Sequence, residues 1–148
     1  MVDMPAVPTP GFLVWRLSMK WRTAVDRAVA PFGLTHAKYS VLASLYGMHH
    51  EGRRPSQREL ADRTGLEVVF ISKLAQSLER DGLITRTRDP GDSRAVEIAI
   101  TIAGLDTAGR AIAVVHALMD ELTAPLGGTG SDRTARFMHD LQLLINAS

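Results

Sequence analysis

Residues 55–101 read PSQRELADRTGLEVVFISKLAQSLERDGLITRTRDPGDSRAVEIAIT. Ser56-Gln57-Arg58-Glu59 has the form of a capping box, with serine at the N-cap and glutamate three residues on. A short helix therefore opens there and runs to about Arg63. Gly65 stands where a tight turn needs a residue tolerant of positive φ. Apolar residues then recur at Ile71, Leu74, Ala75 and Leu78, which predicts a second helix from about Glu67 to Arg80. Asp81-Gly82 closes it, with Gly82 placed for a left-handed cap. Leu83 to Arg88 reads as a strand. In Ala95 to Ile100, Val96, Ile98 and Ile100 alternate onto one face of a second strand. Pro90-Gly91 marks the turn between them. The stretch is a helix-turn-helix followed by a hairpin whose tip carries Asp92 and Arg94. The second helix suits a DNA major groove, and an arginine on a hairpin tip suits the adjacent minor groove.

The flanks are helical. Apolar positions Val14, Leu17, Trp21, Val25, Ala28 and Val29 set one helix over Gly11 to Ala30, which Pro31-Phe32-Gly33 ends. Thr35 caps a second, which carries Val41, Leu42 and Leu45 and stops near Gly47, leaving His49 to Pro55 as a polar loop. Thr101 caps a long helix reaching about Thr123, and Ser131 opens a last one after a break at Pro125 to Gly130. The fold class expected is mainly α, a winged helix-turn-helix (α+β), in a single domain over 1–148. Trp15, Trp21, Leu118, Leu122, Leu141, Leu144 and Ile145 lie outside the helix-turn-helix core. A small winged helix does not need them, so their faces imply a partner or a second copy.

The chain's 148 residues suffice for a core without staples, and it contains no cysteine. Disulfides, thiol-based redox sensing and zinc-thiolate sites are thereby excluded. No apolar run approaches the ~18 residues of a membrane span. Met1 to Pro10 does not resemble a secretory signal, so a cytoplasmic location is expected. Net charge is only +1, but its distribution is uneven. Residues 11–50 carry +4, residues 51–94 carry +1 and residues 95–148 carry −3. The C-terminal third is therefore not expected to face phosphate. Fourteen of the seventeen basic residues are arginine, the better bidentate donor to guanine or phosphate.

The order of elements and five short motifs resemble the MarR (multiple antibiotic resistance regulator) family of bacterial transcription factors. The motifs are Phe32-Gly33-Leu34-Thr35, the run Ser56 to Leu66, the run Leu78 to Ile84, the run Asp89 to Arg94, and Thr101-Ile102-Ala103-Gly104. The resemblance covers about residues 12–146. It implies a homodimer held by residues 11–34 and 101–148, with residues 35–100 as the DNA-binding lobe. It also implies a pseudo-palindromic site on double-stranded DNA and a pocket for a small, often aromatic, effector. Asp92 matches the family's wing aspartate, which pairs with an arginine. One departure stands out. Where the family places Ser, Thr or Pro at the start of the recognition helix, this chain has Glu67-Val68-Val69-Phe70.

On that helix Val69, Ser72, Lys73, Gln76 and Arg80 fall opposite the apolar stripe. Lys73 suits guanine and Gln76 suits adenine; an ordinary solvated face is the bland alternative. Arg94 is the strongest single candidate, because a narrow minor groove concentrates negative potential. Arg86 and Arg88 on the preceding strand are expected phosphate contacts, with Lys38 and Ser56 as weaker ones. Trp15, Trp21, Tyr39, His116 and Met119 are candidates for an effector pocket, against the plainer reading of interface core. His116 and Asp120 share a helix face and His49-His50-Glu51 lies in a loop, but a structural zinc site needs four ligands. No metal or cofactor is therefore expected. Nor does the chain hold a nucleophile elbow or a phosphate-cradling glycine loop, so no enzyme is expected. The function expected is a homodimeric DNA-binding repressor released by a small molecule. The alternative is a dimeric small-molecule-binding or protein-interaction module on the same fold with weak or lost DNA binding.

Overall fold

The computed structural model describes residues 7–89 and 91–148, with the side chains of residues 89 and 92–95 left aside. Six helices and one hairpin follow in order: α1 (Pro10–Val29), α2 (His36–His50), α3 (Gln57–Thr64), α4 (Val68–Arg80), β1 (Ile84–Asp89), β2 (Asp92–Ile100), α5 (Ile102–Leu122) and α6 (Asp132–Asn146). Short 3-10 turns at Ala30–Phe32 and Ala124–Leu126 follow α1 and α5. The strands pair antiparallel, Ile84 opposite Ile100 through Arg88 opposite Val96, and the register shifts at Arg88/Asp89. The architecture is mainly α with a small wing.

Local signals account for most boundaries. Side chains of Thr35, Ser56, Thr101 and Ser131 each accept a backbone N–H at the start of their helix. Each such cap satisfies a donor the helix leaves orphaned. Gly65 and Gly82 take positive φ, 77° and 76°.

Two expectations need correction. The second helix does not stop near Gly47 but runs to His50, so His49 belongs to a helix and not to the loop. A glycine inside a helix costs only about 1 kcal/mol. Met48, buried in the core, lies in the added turn. The left-handed residue that turns the chain is Gly52, φ 74°. The second correction concerns α5, which is long and apolar enough by length and composition to cross a membrane. Its Gly104, Ala108, Ala111 and Val115 are instead buried in the protein, where α5 packs against α1 and α2.

The core joins Val25 and Val29 of α1, Val41, Leu42 and Leu45 of α2, Leu60 of α3, Ile71 and Leu78 of α4, Ile84 and Ile98 of the wing, and the buried face of α5. The wing is sewn to this core twice. Ile98 donates its N–H to the Pro55 carbonyl at 2.9 Å, beside a bridge between Ser56 and Glu97. Thr101 donates its hydroxyl to the Gly82 carbonyl at 2.7 Å and its N–H to Leu83 at 3.0 Å, while its hydroxyl oxygen caps Gly104. Gly104 sits so close to the hairpin that a Cβ there would collide with the Leu83 carbonyl oxygen and approach Ile100 Cγ1 to 2.7 Å. The Thr-x-x-Gly motif thus locks the end of α4, the root of the wing and the start of α5.

Helix α6 is different. Among the described residues it has no extensive contact with another element. It is held at its start, where the buried Thr134 hydroxyl donates to the Gly128 carbonyl at 2.6 Å and Ser131 to Leu126 at 2.7 Å. Met138, Leu143, Leu144 and Ile145 are exposed, the last by 74%. Phe12, Leu13, Val14 and Trp15 in the first half of α1 are exposed as well.

Two predictions follow from the packing. Gly104→Ala should destabilise the fold by about 1–3 kcal/mol, the usual cost of forcing extra atoms into a packed site, as read by urea denaturation. His36 donates its backbone N–H to Asp26 at 2.6 Å. Burial pulls its imidazolium below the ordinary 6.5, against the attraction of Asp26 and with the help of Arg22. The unfolded chain therefore binds the proton more readily. The stability this contributes is present above about pH 6.5 and is lost as pH falls through the lower folded value. Denaturation midpoints of the wild type should drop between about pH 7.5 and 5, and His36→Gln should flatten that slope.

Candidate nucleic-acid interface

The outer face of α4 is built by the inner one. Because Ile71, Leu74, Ala75 and Leu78 are buried, Val69, Lys73, Gln76 and Arg80 must point away, at about 100° per residue. All four are exposed, and Ser72 is half-buried at the edge of the row. The preceding turn is tightly held. Gly65 donates to the Ala61 carbonyl at 2.9 Å, and the Thr64 hydroxyl donates to Leu60 at 2.7 Å while accepting the Leu66 N–H. Glu67 occupies the N-cap of α4 without a side-chain capping bond.

The wing is positioned against α4 by Arg86. Its backbone N–H and its guanidinium both donate to the Glu79 carboxylate, at 3.1 Å to Oε2 and at 3.1 and 3.3 Å to Oε1. The remaining guanidinium nitrogen reaches Gln57 Oε1 at 3.4 Å. Three elements, α3, α4 and β1, meet on one side chain. Its guanidinium is turned onto protein groups, and in that posture it positions the wing. Glu79 and Gln57 were not singled out in the sequence. A signal for Glu79 did exist. It sits in the last turn of α4, where the helix dipole disfavours an anion, and an acidic residue there calls for a cation.

Lys38 is tied to Asp81 at 3.7 Å, which links α2 to the end of α4. The Ser56 hydroxyl caps α3 by accepting the Glu59 N–H at 3.1 Å, and Arg53 holds Glu59 at 3.0 Å. Both candidates thus carry structural bonds at the edge of the interface. Arg88 is exposed on β1 and lines, with Glu79, Arg86 and Val96, a depression of about 240 Å³. Asp92 and Arg94 belong to β2 by backbone; their side chains lie outside the described residues.

The effector candidates are spread over three helices. Trp15 on α1 is 57% exposed and His116 on α5 is exposed, while Trp21 is half-buried. Tyr39 and Met119 pack partly against the core, and burial raises the Tyr39 phenol above its usual 10.0. None of the five lines the depression beside Arg88 or a smaller cavity of about 60 Å³ between His49, Arg53, Arg54 and Ile98. Asp120, the partner considered for His116, accepts both the N–H and the hydroxyl of Thr129 at 3.0 Å.

A helix-turn-helix with an exposed polar row and a hairpin clamped beside it defines a winged-helix DNA-binding protein. Comparison with known proteins makes this specific. The MarR family model matches residues 32–95. YdcH of Bacillus subtilis (strain 168), an uncharacterized HTH-type transcriptional regulator, is 32% identical over 108 residues, 73% of this chain and 74% of the relative. The chain belongs to the MarR family and is a DNA-binding transcriptional regulator. Among solved structures, PcaV from Streptomyces coelicolor, in complex with its natural ligand, superposes with TM-score 0.83 at 26% identity over 99% of each chain. The M. tuberculosis regulator MosR in complex with DNA superposes with TM-score 0.74 at 25% identity, covering 93% of this chain and 96% of that one. The relatives are transcriptional regulators, not enzymes.

The contributions of Arg86 and Arg88 to DNA binding are separable by salt. Arg88→Ala should reduce the slope of log affinity against log salt by about 0.9, the value for one phosphate contact on B-DNA. Arg86→Ala should weaken binding by loosening the wing while leaving that slope nearly unchanged. Titrations at three salt concentrations distinguish the two.

Proposed function

We propose that this regulator is a homodimeric repressor. In this reading each lobe lays α4 in a major groove, directs Arg94 of the wing to the neighbouring minor groove, and sits on one half of a pseudo-palindromic promoter site. The observation that carries the reading is the Glu79–Arg86–Gln57 tie. It holds the exposed row Val69, Lys73, Gln76 and Arg80 and the root of the hairpin in one rigid arrangement. Two DNA-facing elements fixed to each other suit two adjacent grooves.

The dimer is supported by the exposed apolar faces of α1 and α6, since α6 finds no extensive partner within the described chain. Such faces are commonly buried against a second copy. Residues 11–34 and 101–148 form the dimerisation part and residues 35–100 the lobe, at work in the cytoplasm with the DNA. Release by a small molecule is supported by the ligand-bound relative PcaV. In the effector reading, Trp15, Trp21, Tyr39, His116 and Met119 line a pocket that a second copy of the chain would complete. Ligand binding would then favour lobe spacings that do not match the DNA.

DNA from upstream of the protein's own gene provides the test. Nanomolar binding at moderate salt is expected, and Arg94→Ala should weaken it on nearly all sequences because the contact senses shape and charge. Leu144→Glu, on the exposed face of α6, should convert dimers to monomers at micromolar concentration by sedimentation. Unchanged affinity for Arg94→Ala would remove the wing from the interface, and a wild-type monomer would remove the dimer.

A further inference from the structure

The start of α4 breaks the ordinary rule for a solvated helix face. Val68, Val69 and Phe70 are exposed by 41%, 67% and 42%. Val69 is placed, at about 100° per residue, within roughly 10° of the line directly opposite the buried stripe. Lys73, Gln76 and Arg80 follow it along the same line within roughly 30°. The outermost row of the recognition helix is therefore one methyl-bearing residue followed by a cation, an amide and a guanidinium.

We propose that Val69, flanked by Phe70, determines specificity by packing on the 5-methyl group of thymine in the major groove. The inference rests on the DNA-binding reading and assigns what this site prefers. Three observations select this occupant. The residues at the start of a recognition helix are those that meet base edges. The only apolar group a base pair presents in the major groove is the thymine methyl. The polar remainder of the row, Lys73, Gln76 and Arg80, matches base edges and phosphates and not an apolar protein surface. Glu67 adds an orientation. A carboxylate at the N-cap, making no capping bond, repels phosphate and so keeps this helix end off the backbone and in the groove, where it can accept from a cytosine amine.

The test begins with selection of a binding site from random duplexes by the full-length protein. Each thymine of that site is then replaced in turn by deoxyuridine, which deletes only the methyl. At one or two positions per half-site, affinity should fall about fourfold, the factor for one buried methyl. Val69→Ala, a change at an exposed helical position that circular dichroism should show to be folded, should bind the thymine and uracil forms equally well. Tight binding to the selected site with no position sensitive to uracil overturns the inference and leaves the DNA reading intact. So does a full uracil effect retained by Val69→Ala. Failure to select any sequence overturns the DNA reading, and this inference with it.

Discussion

One carboxylate joins the two outer elements of the winged lobe, the exposed row of α4 and the hairpin. Glu79 takes the Arg86 backbone N–H and guanidinium together, and Arg86 passes on to Gln57 at the start of α3. Both ion-pair partners are partly exposed, so the pair adds at most about 1 kcal/mol to stability. Its weight lies in geometry. A two-stranded hairpin is marginal by itself, and this tie joins it to α4 beside the bonds that Ile98 and Thr101 already make at its root. Lys38–Asp81 and Thr101–Gly82 bind the same end of α4 from two other sides. The recognition helix is fixed at its C-terminal end by polar bonds and along its length by apolar packing, while its first turn is left exposed.

The chain divides its apolar residues between two tasks. One set closes a core running from α1 through the wing to α5. The other set, on the first half of α1 and on α6, is presented outward. The corner between α5 and α6 is built to hold α6 at its angle. Asp120 grips Thr129 while Ser131 and buried Thr134 bond back to the turn. A helix so firmly set, yet with so little to pack on among the described residues, supports the proposed dimer and its two lobes.

Much of this was legible in the sequence because its causes are local. Thr35, Ser56, Thr101 and Ser131 cap because a hydroxyl beside a helix start satisfies an orphaned N–H. Gly65 and Gly82 turn because they tolerate positive φ. The Thr-x-x-Gly motif was legible as a motif, but the reason for Gly104 was not, since it depends on the Leu83 carbonyl about twenty residues away. The same limit explains Arg86. From the sequence, a strand arginine in a wing gives no sign that a glutamate seven residues earlier is brought against it. The end of α2 was misplaced because Gly47 is a breaker by propensity, while burial of Met48 is a tertiary matter. The effector candidates line neither of the two cavities described above.

The proposed mode of binding is two clamped lobes acting together on one duplex. Sedimentation of the protein on a labelled duplex carrying its site, combined with a hydroxyl-radical footprint, addresses that directly. The account predicts two chains per duplex and two protected patches about one helical turn, ~10 bp, apart on one face of the DNA. One chain per duplex with a single patch would contradict it.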